Sequence, residues 1–299
     1  MNNKTKKKTK YIGQIILHFC FVLISLMYIL PLLIVVSASF TDESELARTG
    51  FSVIPTKVSF AAYEAIFRNP WQIINSYITT VTYSVVGTFL SVLVMALLAY
   101  PLVRKTFRIR KIVNFYVLFT MLFSGGLVPS FIINTRYLHL DNTIWIYILP
   151  GIVSAYNLFI IKAGYINVPN ELIEAAKIDG ASEYYICFKI MIPLSKATLA
   201  TVAFLILIAK WNDWYTASVY IQNIKLHSLQ YLLQKILNEA EMLKQMTNEA
   251  GIIVDVDRVM PLETLKYAMA MVAAGPMLVV FPIFQKYFVK GMTIGAVKG

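Results

Sequence analysis

Two cysteines and three histidines are all that this 299-residue sequence offers to thiol or imidazole chemistry. Cys20 and Cys187 lie far apart, one in an apolar run and one in a polar insert, so neither a disulfide framework nor a zinc spacing is present. His18, His139 and His227 are isolated in different segments, and no metal site is expected. Charge is short as well: Asp, Glu, Lys and Arg make up 14% of the chain, against about 25% in soluble domains. No G-x-x-x-x-G-K-[ST] phosphate cradle occurs, so the chain is not expected to hydrolyse ATP. A membrane glycosyltransferase or protease would need carboxylates, a His/Cys pair or metal ligands clustered at one depth, and the apolar runs offer a single carboxylate, Asp213, with Lys210 beside it and His18 in a different run. No catalytic residue is expected.

Hydrophobic residues are abundant, at 58% and a mean hydropathy of +0.65. They fall into six runs, approximately 12–38, 77–100, 113–133, 143–165, 197–217 and 264–285. Each is near the roughly 20 residues that cross about 30 Å of hydrocarbon. Pro31, Gly125, Gly126, Pro150 and Pro276 interrupt several runs, which neighbouring helices and water can accommodate. The first run follows "KKKTK" but exceeds the about 7–15 residues of a signal-peptide core, so it is read as an uncleaved helix. The expected fold is an all-α integral membrane protein of about six transmembrane helices.

Placement of charge orients the helices. With both ends in the cytoplasm (N-in/C-in), the inner pieces 1–11, 101–112, 162–196 and 286–299 hold 17 of the 27 basic residues and four of the 16 acids. The outer side holds nine basic and eleven acidic residues, counting Lys266 near the start of the sixth run, and Lys210 and Asp213 lie inside the fifth run. This is the positive-inside bias. It sets the basic surface against cytoplasmic lipid headgroups and accounts for the net charge of +11 without nucleic acid. The predicted location is the cytoplasmic (inner) membrane of a bacterium. Lys210 and Asp213, close to an outer boundary, are read as an interfacial ion pair.

Two outer loops are long enough for structure. The first, 39–76, carries aromatic anchors at Phe67 and Trp71. The second, 218–263, spaces Leu229, Leu232, Leu233, Ile236, Leu237, Ala240 and Leu243 on one helical face. Gln234, Lys235, Glu239, Glu241 and Lys244 lie opposite. Such a helix either lies on the bundle mouth or presents a face to an extracytoplasmic partner. Pro261 suits the first turn of the sixth helix. No linker or internal repeat divides the chain, so 1–299 is read as a single domain.

Between the fourth and fifth runs stands a polar insert, 167–193, containing "EAAKIDGASEYYICFKIMIP". Asn167 is placed to cap a helix with Pro169 in its first turn and Leu172, Ile173 and Ala176 on one face. Gly180 is expected in the left-handed conformation at its end. A second helix then runs from about Ser182 until Pro193 breaks it and starts the fifth span. Two readings stay open from pattern alone: a rigid elbow projecting into the cytoplasm, or a loop lying on the membrane.

The insert resembles the EAA motif of binding-protein-dependent ABC importer permeases, in which Glu174, Ala175, Ala176, Asp179, Gly180, Ala181 and Pro193 match. The tail "FQKYFVKGMTIGAVKG" resembles the C-terminus of the maltose-type sugar permeases. "FSGGLVPSF", "ILPGIVSAYNLFI", "WNDWY" and "SLQYLLQKIL" resemble the polysaccharide-type branch of that group, so the likeness covers a core from about 75 to 299. The resemblance implies that the elbow is a coupling helix that docks on a cytosolic ATPase, with Glu174 facing a basic group there. It also places Gln285, Lys290, Gly291, Gly295, Lys298 and Gly299 at the ATPase interface. The implied partners are a second homologous permease subunit, an ABC ATPase dimer that uses ATP and Mg, and an extracytoplasmic solute-binding protein. No cofactor is implied for this chain itself. The implied function is import of an oligosaccharide or complex glycan by alternating access. Importers of peptides or amino acids carry similar elbows. A proton- or sodium-coupled transporter is disfavoured by the scarcity of ionisable groups at midplane.

One further pattern bears on substrate. Trp211, Trp214, Tyr215 and Ser218 fall at i, i+3, i+4 and i+7, as one stripe of the fifth helix, with Asn212 and Asp213 beside it. Sugars stack C–H faces on aromatic rings, so the stripe suits a glycan path. An interfacial aromatic belt is the competing reading.

Overall fold

The computed structural model describes residues 3–249 and 262–296 and is built from helices; among them the only β pairing is an isolated bridge, Thr41↔Val58. The chain forms two compact units, 1–69 with 235–275 and 70–234 with 276–299.

The first unit begins with α1 (Asn3–Ser39), whose segment Gly13–Ser39 holds an 18-residue stretch with a mean hydropathy of 2.9 and no buried residue; only Ser37, Ala38 and Ser39 at its end are buried. Its apolar surface therefore needs lipid or another chain as solvent. Pro31 lies inside the helix without ending it. The segment that follows carries two short helices, α2 (Glu43–Thr49) and α3 (Ala61–Ile66). Phe40 stacks on Tyr63 at 4.9 Å, and the Tyr63 hydroxyl donates to Ser39 Oγ at 2.9 Å. Glu43 is buried, and its carboxylate accepts the N–H groups of Glu263 and Thr264 at 2.8 and 2.9 Å. An anion at a helix start satisfies otherwise orphaned donors and complements the helix dipole. Here it fixes the start of the last helix, α14 (Leu262–Ala296). Pro261, expected in that first turn, lies outside the described residues.

The second unit is organised around α4 (Pro70–Val103), 34 residues with a mean hydropathy of 2.2. The buried face of α4 carries Ser76, Thr80, Ser84, Gly87, Thr88 and Ser91, small side chains that let other helices approach closely. α7 (Ala155–Ile166) and α11 (Lys196–Trp211) pack on it. α7 and α11 also meet closely: a Cβ on Gly164 would lie 2.6 Å from Thr198 Oγ1 and 2.8 Å from its Cβ.

Three of the six expected spans are single long apolar helices, α1, α4 and α14. The run 113–133 is instead two helices, α5 (Arg110–Leu122) and α6 (Leu127–Ile132, extended by a π-turn to Tyr137), bent by 112°. Gly125 and Gly126 make the break, Gly126 at φ +85°. The run 143–165 is not one helix: a 3₁₀ turn at Ile144–Tyr147 is followed by Pro150 and Gly151, and α7 starts only after Ser154. Proline lacks the N–H and glycine the conformational preference to carry a helix through that segment. The stretch 218–263 does hold the amphipathic helix, α13 (Leu229–Glu249), with Leu229, Leu232, Leu233 and Ala240 buried and Gln234, Glu239 and Glu241 exposed.

Candidate functional site

The elbow is built by successive helix-ending signals. α7 closes at Asn167, which is therefore the end of the preceding helix and not the cap of the next, as spacing suggests. Val168, ahead of a proline, is pushed out of helical geometry, and Pro169 opens α8 (Asn170–Ile178). Glu171 in its first turn and Lys177 in its last complement the helix dipole. At the far end Gly180 has φ +77°, the left-handed region expected. Ala181 N–H donates to Ala176 O at 2.9 Å and Gly180 N–H to Lys177 O at 3.0 Å. Those two bonds are the Schellman closure, which fixes the direction of the chain leaving the helix.

Ser182 then caps α9 (Glu183–Tyr185), its Oγ accepting Tyr185 N–H at 3.2 Å. A π-turn (Ile186–Met191) and α10 (Ile192–Leu194, containing Pro193) lead into α11 through a 76° bend. The missing N–H of Pro193 is one cause of that irregularity.

Packing makes the elbow stiff. Ile173, Ile186, Cys187 and Met191 are buried in one cluster with Ala99 and Leu102 of α4 and Tyr165 of α7. Ala176 and Ala181 pack against the same cluster, whereas Leu172, expected beside Ile173, is exposed. Glu174, Ala175, Asp179, Gly180 and Pro193 are exposed. So are Ile178, 86% accessible, and Tyr184, 81%, large apolar side chains on a cluster of polar turns.

A polar latch with no signature in the sequence ties the two elbow helices to α4. Glu183 Oε1 is 2.6 Å from Lys177 Nζ, and Oε2 is 3.8 Å from Arg104 Nε. The Tyr100 hydroxyl donates to the same carboxylate. Tyr100 and Glu183 are 83 positions apart, so no local spacing marks them.

At the other end of α4 the aromatic stretch is arranged differently from a single stripe. α11 ends at Trp211 with Asn212 as its cap, and α12 (Tyr215–Tyr220) starts anew, Asp213 Oδ1 accepting Thr216 N–H at 2.9 Å. Trp211 is 3% accessible and faces Tyr77, with 6.5 Å between ring centroids. Asn212, Trp214 and Tyr215 are exposed together, and the last two rings meet edge-on at 6.0 Å. The expected Lys210–Asp213 ion pair does not form. Lys210 is 9% accessible, lies over Gly87, and donates from Nζ to Tyr147 O at 2.7 Å. The Tyr83 hydroxyl donates to Lys210 O at 3.0 Å, and Tyr83 stacks on Tyr147 at 4.2 Å. The buried cation thus holds the break after α11 to α4 and to the 3₁₀ turn.

Of the C-terminal residues, Gln285 is exposed on α14. Lys290, Gly291 and Gly295 lie on the same helix, and Lys298 and Gly299 lie outside the described residues.

Known proteins resemble this chain along most of its length. The family model described as binding-protein-dependent transport system inner membrane component matches residues 84–294. Protein LplC of Bacillus subtilis is 36% identical over 271 residues, covering 91% of this chain and 90% of LplC. The polygalacturonan/rhamnogalacturonan transport system permease protein YtcP of the same organism is 37% identical over 92% of this chain and 94% of its own. A chain in the crystal structure of a bacterial ABC transporter involved in the import of the acidic polysaccharide alginate superposes with a TM-score of 0.75 at 25% identity, covering 94% of this chain and 98% of that one.

Proposed function

We infer that this chain, which belongs to the binding-protein-dependent transport system inner membrane component family, is the membrane permease subunit of an ATP-driven importer of oligosaccharides. It is a multi-pass protein of the inner membrane, and ATP hydrolysis is the work of a separate subunit. The observation that carries the reading is the elbow: a Schellman-closed turn, anchored in the core by Ile173 and Ile186, that exposes Ile178 and Tyr184.

In this reading the whole chain works as one transmembrane domain with six spans and both ends in the cytoplasm. α7 alone covers only about 18 Å of the bilayer at 1.5 Å per residue, so the fourth span takes in the 3₁₀ turn before it. The exposed elbow surface docks on an ATPase dimer that uses ATP and Mg, with Glu174 facing a cation there. Closure of the dimer pushes the elbow. Because Ile173 and Glu183 fix the elbow to α4, the push is delivered to the central helix and not absorbed locally. A second permease subunit completes the path, and a solute-binding protein delivers the glycan at the outer mouth. Asn212, Trp214 and Tyr215 are the exposed path candidates, offering hydrogen bonds and stacking faces.

Proteoliposomes containing the complete transporter test this reading. Uptake of labelled oligosaccharide should require internal ATP, stop with vanadate and be unaffected by proton or sodium gradients. Gradient-driven uptake without ATP would contradict it.

A further inference from the structure

The elbow also walls a cavity of about 470 Å³, whose lining shares Glu174 with the surface assigned to ATPase docking. Its polar lining comprises Arg104, Lys105 and Thr106 from the turn after α4, Arg110 at the start of α5, and Asn170, Glu174 and Lys177 from α8. Four cations therefore face one lining carboxylate. Lys177 and Arg104 share Glu183 nearby, but Lys105 and Arg110 form no ion pair among the described residues. Arg104 Nε is buried and makes no hydrogen bond, its nearest anion being Glu183 Oε2 at 3.8 Å. α5 opens at this wall with no acid in its first turn, so its free N–H groups add to the positive potential. Like charges gathered around one space repel one another unless an anion sits between them.

The surroundings indicate which anion. Ile109, Ile112 and Tyr116 are exposed at i, i+3 and i+7, one apolar face of α5, and Ile166, itself in the cavity wall, is 69% accessible. A charged space opening beside an apolar helix face fits a molecule with an anionic head and hydrocarbon chains.

We propose that this cavity binds the phosphate headgroup of an anionic phospholipid, with the acyl chains along Ile109, Ile112 and Tyr116. Lys105 and Arg110 hold the phosphate oxygens. Basic pockets between membrane helices on the cytoplasmic side recognise such headgroups. Because the site is shared by α4, α5 and α8, an occupant ties the elbow to the inner leaflet. The inference rests on the cytoplasmic placement of the elbow. Lipid retention is measured without ATPase or sugar, so its failure leaves the transport reading standing.

Native mass spectrometry of the full chain in mild detergent tests it, with phosphatidylglycerol, phosphatidylcholine or inorganic phosphate added. The wild type should retain phosphatidylglycerol in preference to phosphatidylcholine, and millimolar phosphate should not displace it. Lys105→Gln/Arg110→Gln should lower retention by about tenfold or more, since each cation near an anionic lipid contributes substantially. Lys111→Gln, an exposed neighbour outside the lining, should not change it. Equal retention of both lipids by the wild type overturns the proposal whether or not the variants fold. So does an equal loss in Lys111→Gln, unchanged retention in the double variant, or displacement by phosphate, which would make the site one for a free anion.

Discussion

Lys177 Nζ lies 2.6 Å from Glu183 Oε1, across the glycine that joins the two helices of the elbow. The pair is partly exposed, so its contribution to stability is small, about 0.2–1 kcal/mol. The proposed coupling gives it a larger mechanical role, because Glu183 also receives the Tyr100 hydroxyl of α4. Glu183→Gln should therefore leave membrane abundance and ATPase association unchanged while uptake per ATP hydrolysed falls several-fold. Uptake and hydrolysis measured together in proteoliposomes check this; an unchanged ratio would remove the latch from the transmission route.

Gly180 at φ +77° defines a second expectation. A side chain there costs about 1–2 kcal/mol in the left-handed conformation, and β-branching crowds it further. No atom lies within 4 Å of a Cβ at that position, so the effect is conformational and not steric. Gly180→Val should uncouple hydrolysis from uptake, and Gly180→Asn should retain much of the coupling, since asparagine tolerates this region. Equal loss in both would point to a contact surface in place of a backbone requirement.

Orientation gives a third. Thr106 and Gln245 are both exposed, in the turn after α4 and on α13. With 17 of 27 basic residues assigned inside, an impermeant thiol reagent on intact cells should label Gln245→Cys and spare Thr106→Cys. The reverse pattern would invert the topology.

The two tryptophans beside the break separate structure from transport. Trp211 is buried, and Trp211→Ala should destabilise the fold by about 3–5 kcal/mol and lower membrane abundance. Trp214 is exposed beside Tyr215, so Trp214→Ala should keep abundance and slow uptake of longer oligosaccharides most. Normal uptake by Trp214→Ala at equal abundance would leave it as an interfacial anchor only.

That contrast also shows where sequence reading succeeds and stops. The left-handed Gly180 is legible because a glycine between two short polar helices has one economical conformation, and α13 is legible because its leucines keep helical period. Periodicity does not reveal that Asn212 and Asp213 end one helix and begin another, which turns Trp211 inward while Trp214 stays out. Lys210 misleads for a related reason. Proximity in sequence to Asp213 suggests a pair, but its long side chain runs over Gly87 to the carbonyl of Tyr147, 63 positions away. The Glu183 latch and the Glu43 cap on α14 are likewise meetings of residues distant in sequence, to which a local pattern is blind.

In the proposed mechanism the elbow is the surface through which an ATPase drives this permease. Cysteine cross-linking in the assembled transporter tests it most directly. Ala175 is exposed on α8, whereas Cys187 is buried and Cys20 lies on α1. Ala175→Cys should cross-link to the ATPase subunit through a short bifunctional reagent, in a yield that changes when ATP is bound. The parent chain, with only Cys20 and Cys187, should give no such product. Absence of a cross-link from Ala175→Cys in a transporter that still imports its sugar would contradict the account.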